Sequence, residues 1–117
     1  MGYTIINKGF DGLVAIYDIT LTRGDTLLAD VTMIRDKEPY TPEAGSVRFA
    51  MKRRYTDDEP AVVRDIPIDT MVLEIKPEDT KELCMDKSYV YDIQFTDENG
   101  RVDTFIKGNV TLTNEVL

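Results

Sequence analysis

The chain has 117 residues, 42% apolar and 31% charged, a globular balance and length enough for one domain to bury about two thirds of its unfolded surface. With 14 Lys and Arg against 22 Asp and Glu, the net charge of −8 repels nucleic-acid phosphates and anionic lipid alike. The absence of histidine removes Ser-His and Cys-His nucleophiles and the commonest general base, while no apolar run approaches the roughly 20 residues of a membrane helix.

Residues 1–16 hold Tyr3, Ile5, Ile6, Phe10, Leu13, Val14 and Ile16 without clean alternation, spaced by Gly2, Gly9 and Gly12. They read as an arm packing on a neighbour or as an extra edge strand, and residues 17–117 as a single β-sandwich domain. Residues 1–10 also lack the basic and apolar regions of a secretory signal, so the chain is expected to stay in the cell that made it unless a particle carries it out. From Tyr17 the period is two. Tyr17, Ile19 and Leu21 share one face of a strand, and after the Arg23-Gly24-Asp25 turn, Leu27, Ala29, Val31 and Met33 share one face of the next.

The stretch from Arg35 to Gly45, broken by Pro39 and Pro42, is predicted to be a loop. Val47, Phe49 and Met51 then alternate with Arg48, Ala50 and Lys52, and the acidic segment from Thr56 to Pro60 ends that strand. Val62 to Ile66 stops at Pro67 and suits a sheet edge, because proline cannot donate to a ladder. Met71, Leu73 and Ile75 mark a further strand. Pro77-Glu78-Asp79-Thr80-Lys81 has proline first and acids in the first turn, the signature of one helical turn where the chain crosses between sheets.

Tyr89, Tyr91, Ile93 and Phe95 form the clearest alternating strand and are expected to face the core, with one tyrosine hydroxyl bonded to backbone near the Pro77 corner. Asn99-Gly100 predicts a two-residue type I′ hairpin turn, which pairs Glu98 with Arg101, Thr96 with Asp103, Gln94 with Phe105 and Asp92 with Lys107. On the other face that register sets Ile93 against Ile106 and Phe95 against Thr104. After Gly108, Val110 and Leu112 mark a last short strand. Together these signals predict an all-β, immunoglobulin-like antiparallel β-sandwich of seven to eight strands with one short helical turn.

Motifs that carry chemistry are scarce. Zinc would have to be held by carboxylates and Cys84 alone, and adjacent acids such as Asp57 and Asp58 point to opposite faces when extended, so no catalytic residue, metal site or cofactor is assigned. Asp97, Glu98, Asn99, Gly100 and Asp103 lack the spacing of a calcium loop. Arg23-Gly24-Asp25 spells an integrin ligand, yet turn chemistry accounts for each of its residues. The basic run Lys52-Arg53-Arg54 is balanced at once by Asp57, Asp58 and Glu59 and reads as a solvated strand end, not a nucleic-acid patch. Cys84, between Leu83 and Met85, reads as a small buried hydrophobe.

The segments ITLTRGDTLLADV, GSVRFAMKRRYTDDEP, MVLEIKPEDTKEL and YVYDIQFTDENGRVDTFIKGNVTLTNEV, in this order, resemble the small immunoglobulin-like proteins of phages and prophages, especially the N-terminal domain of the baseplate upper protein. That resemblance implies a virion structural role in tail or baseplate, or as an accessory, through contacts with other phage structural proteins or with a second copy. It implies the host cytoplasm before assembly and the virion afterwards, and no catalytic residues, small-molecule substrate, nucleic acid or membrane. The rival function is a carbohydrate-binding or adhesive β-sandwich module using Tyr40 and Tyr55, against which the absence of tryptophan counts. For partner binding the residues singled out are Tyr3, Ile5 and Phe10 of the arm with Val90 and Phe105, because the predicted hairpin register strands Phe105 on a polar face beside Val90.

Overall fold

Strict apolar alternation in the middle of the chain builds two sheets that meet through their apolar faces. The computed structural model describes residues 2–7, 14–35, 38–83 and 88–113, with the backbone alone for residues 2–7 and Arg35. In chain order the elements are β1 (Gly2–Asn7), β2 (Ala15–Ile16), β3 (Ile19–Thr22), β4 (Leu27–Arg35), β5 (Glu38–Tyr40), β6 (Ser46–Lys52), β7 (Val62–Ile66), β8 (Val72–Ile75), α1 (Pro77–Thr80), β9 (Ser88–Thr96) and β10 (Val102–Thr113). A six-stranded sheet runs β2-β10-β9-β6-β7, with β3 continuing β2 along β10. In the four-stranded sheet β4 pairs with β1, β5 and β8.

The expected all-β sandwich is what forms, and its apolar rows are those of the alternation. Leu27, Ala29, Val31 and Met33 of β4 face Val47, Phe49 and Met51 of β6 and Tyr89, Tyr91, Ile93 and Phe95 of β9 in one buried cluster. Phe49 and Tyr91 stack with ring centres 5.4 Å apart. Strand β7 lies at the edge of its sheet, where Pro67 costs no ladder bond. The structure adds strands that alternation did not reveal. Glu38–Tyr40 pairs antiparallel with β4 in the stretch predicted to be a loop, Pro39 being tolerated at a sheet edge. Strand β1 runs parallel to β4, with Tyr3 opposite Ala29 and Ile5 opposite Val31. The last strand is continuous from Val102 to Thr113, so Gly108 does not divide it.

The tip of the β9–β10 hairpin differs from the prediction, and one difference undoes the other. Asp97 and Arg101 close a loop of Glu98, Asn99 and Gly100, with Gly100 at φ +80° and the Asp97 carboxylate accepting the amides of Asn99 and Arg101, both at 2.9 Å. Asn99 keeps a negative φ, which excludes type I′; the three-residue loop shifts pairing by one, so Thr96 faces Val102 and Phe95 faces Asp103. A β-bulge between Thr104 and Ile106 then restores the predicted register, with Ile106 opposite Ile93 and Lys107 opposite Asp92. Phe105 is the extra residue. A bulge sets two residues against one on the partner strand, and here both Phe105 and Ile106 turn to the core, leaving Phe105 only 2% exposed. Its predicted place on the polar face is therefore corrected.

The crossing between sheets occurs at α1, as expected. The Asp79 carboxylate accepts the Lys76 amide at 2.8 Å and two of the three Arg64 guanidinium nitrogens, Nε at 2.8 Å and one terminal nitrogen. Burial alone would raise the Asp79 pKa, but the hydrogen bonds from Arg64 and Lys76 and the Arg64 charge outweigh it and hold the carboxyl below its ordinary range. Thr80, fully buried, accepts the Gly24 amide at 2.9 Å, so the Arg23-Gly24-Asp25 turn is bound onto the corner rather than displayed as a free tip. The Tyr91 hydroxyl does not make the predicted bond to the Pro77 corner: it donates to the Tyr17 carbonyl, at the bend between β2 and β3. Because Phe105 fills the core, Phe105→Ala is expected to lower unfolding free energy by about 3 to 5 kcal/mol in chemical denaturation. A loss below about 1 kcal/mol would return Phe105 to the surface.

Candidate interaction surface

Pairing across β10, β9, β6 and β7 lays out the solvent face of the six-stranded sheet in rows. One row holds Lys107, Asp92, Ala50 and Val63, a second Thr104, Gln94, Arg48 and Asp65, and a third Asn109, Val90 and Lys52. All follow from the period of two: with odd-numbered residues of β9 committed to the core, the even-numbered ones must lie on this face. The segment after β6 folds back over it. The Asp57 carboxylate accepts the Arg54 amide at 3.1 Å, the Asp57 carbonyl accepts Lys52 Nζ at 2.8 Å, and the Tyr55 hydroxyl reaches the Tyr91 carbonyl at 3.4 Å. The result is a groove of about 340 Å³ between that segment and the sheet.

Its floor is a polar network. An Arg48 guanidinium nitrogen donates to Gln94 Oε1 at 2.7 Å and stands 3.9 Å from the Asp92 carboxylate, while Gln94 Nε2 donates to Asp92 at 3.3 Å. Burial pushes the Asp92 pKa up, more than Arg48, Gln94 and Lys52 pull it down, so its charge is only partly compensated. The neighbouring basic residues are engaged locally: Arg53 lies over the Tyr89 ring at 5.9 Å and donates to the Ser88 carbonyl at 3.4 Å.

The described residues among those singled out for partner binding lie on different parts of the sandwich. Val90 is half-buried and lines the groove, while Phe105 is in the core on the opposite face of the sheet. Tyr3 and Ile5 belong to the other sheet, and Phe10 and Cys84 lie outside the described residues. Of the two tyrosines considered for sugar contact, Tyr40 packs against the core and Tyr55 is exposed. Arg48, Asp92 and Gln94 were legible as polar-face positions, but their convergence needs the β6–β9 register. Among the described residues no group of carboxylates and cysteine is arranged to hold a metal ion, and no helix is long and apolar enough to cross a membrane.

The sandwich as a whole has a counterpart of known structure. It resembles the N-terminal domain of phage TP901-1 ORF48. The two superpose with a TM-score of 0.55 over 95% of this chain and 97% of the ORF48 domain, at 12% sequence identity. At that identity the ORF48 domain speaks for the fold from end to end and not for individual side chains. It is the kind of phage domain that the sequence resemblance pointed to. No protein-family model and no curated protein matches the amino-acid sequence.

The partial compensation of the Asp92 charge has a measurable consequence. Its raised pKa means that the folded state holds the proton more tightly than the unfolded chain, so stability falls as pH rises from the ordinary value of 3.8 through the folded one. Asp92→Asn is expected to melt at a higher temperature than the wild type at neutral pH, the difference closing below about pH 3.8. A lower melting temperature at neutral pH would show that Arg48 and Gln94 fully compensate the carboxylate.

Proposed function

We propose that this chain is a structural component of a phage or prophage particle, in the tail or baseplate or as an accessory, and that it acts through protein–protein contacts without catalysis. The observation that carries this reading is the likeness of fold to the ORF48 domain along nearly the whole of both chains. The sequence segments resembling phage baseplate domains support it independently, as does a chain without histidine. Its partners in this reading are other particle proteins or a second copy of itself, met in the host cytoplasm during assembly and retained in the virion.

Contacts of this kind use what the sandwich leaves open. Val14 and Ile16 are exposed on and beside β2, Val102 at the start of β10 and Leu28 on the outer face of the four-stranded sheet. The N-terminal segment, with Tyr3 and Ile5 in the edge strand β1 and with Phe10, is the second candidate contact, and Val90 a third through the groove. Mass spectrometry of gradient-purified particles from an induced culture tests the role: the chain is expected among the particle proteins, and deletion of its gene is expected to yield particles with defective tails. Particles that lack the chain, with infectivity unchanged by the deletion, would refute it.

A further inference from the structure

The groove over β6 and β9 is electrically balanced in a chain that is not. Arg48 and Lys52 oppose Asp58 and Asp92 around it, against a net charge of −8 for the molecule. A small ion entering there meets one pair that attracts it and one that repels it. The polar groups are planar and hold one another in place, yet each keeps capacity to spare: a carboxylate offers about four acceptor positions and a guanidinium five donors, and the internal bonds of Asp92 and Arg48 use few of them. The groove also has an aromatic wall. Tyr55 is 55% exposed, and its hydroxyl donates to the Tyr91 carbonyl at 3.4 Å. Ala50, Pro60 and Val90 add apolar surface.

We propose that this groove binds a neutral saccharide. Adjacent sugar hydroxyls each donate and accept, so one pair of them can satisfy Asp92 as acceptor and Arg48 or Gln94 as donor together. The C–H face of a pyranose ring is apolar and covers an exposed aromatic ring such as Tyr55, while an uncharged ligand suits a site whose own charges cancel. A volume of about 340 Å³ lies at the small end of ligand pockets, which run from about 300 to 1,000 Å³, and fits one or two sugar rings rather than a long chain. This inference goes beyond the structural role and does not depend on it: a particle protein without sugar affinity, or a sugar-binding protein outside a particle, would separate the two.

The test is amide-resolved NMR of the full chain titrated separately with glucose, galactose, N-acetylglucosamine and rhamnose. At least one sugar is expected to move the amides of residues 48–58 and 90–94 and to leave the four-stranded sheet unmoved. Tyr55→Ala is expected to weaken that binding about tenfold, the worth of one aromatic contact. Asp92→Asn, which leaves the covering segment intact, gives the same reading if Tyr55→Ala disturbs the fold. No shifts with any of the four sugars, equal binding by both variants, or stronger shifts from acetate or lysine amide than from the sugars would overturn the proposal.

Discussion

Three hydrogen bonds and one missing side chain meet where the chain bends between β2 and β3 along the last strand, β10. The Tyr17 amide donates to the Lys107 carbonyl at 3.0 Å, Asp18 accepts the Asn109 amide at 3.0 Å, and the Tyr91 hydroxyl crosses Gly108 to reach the Tyr17 carbonyl. Gly108 faces Tyr91 in the ladder, and a Cβ there would collide with the Tyr17 carbonyl group, whose carbon would lie at 2.7 Å. Only glycine lets these backbones approach so closely. Either side of the bend, β2 and β3 pair in parallel with β10, at Ala15 to Ile106 and Ile19 to Val110. This seam fastens the N-terminal half of the chain to the C-terminal hairpin, and β4, which follows β3 through the Gly24 turn, is thereby set opposite β9. Burial, and then the charge of Asp18, push the Tyr91 phenol well above its ordinary pKa, so it remains a donor throughout any working pH.

Most of the sheet could be read from the sequence because its two faces differ so sharply. Wherever one face is buried, slipping a strand by one residue exposes its whole apolar row, and so β4, β6, β8 and β9 fall where alternation puts them. The helical turn was legible for a different reason: proline and acids belong at a helix start whatever surrounds it. The hairpin shows the limit. Asn-Gly signals a turn but not its length, and the choice of a three-residue loop rests on Asp97 capping two amides, a contact that no period reveals. The bulge at Phe105 was hidden in the same way, since alternation alone assigns that residue to the wrong face. Parallel pairing of β1 and the split at Tyr17 depend on partners 26 and 90 positions away, as in Gly2 with Leu28 and Tyr17 with Lys107, and local pattern carries no trace of either.

The candidate site was legible in its parts and not as a site. Lys52, Arg54 and Asp57 read as a run of charges that cancel; in the structure they are a clasp that brings Tyr55 over the sheet. Arg48, Asp92 and Gln94 are ordinary solvent-face residues until the β6–β9 register sets Arg48 opposite Gln94, with Asp92 two residues further along β9 on the same face. A domain of this construction offers two kinds of surface: strand edges with scattered exposed apolar positions, and an open polar groove over β6 and β9. The groove arises because the odd-numbered residues of β9 make the core and the even-numbered ones face outward.

The central claim is that the Tyr91-to-Tyr17 bond at Gly108 holds the two halves of the sandwich together, and Tyr91→Phe tests it most directly because it removes one oxygen and leaves the ring stacked on Phe49. Amide hydrogen exchange of the variant, with its unfolding free energy, should show faster exchange at Tyr17 and Asn109 than in the wild type, and a loss of about 1 to 2 kcal/mol. Exchange and stability both equal to the wild type would contradict the account and place the anchoring of the N-terminal half elsewhere.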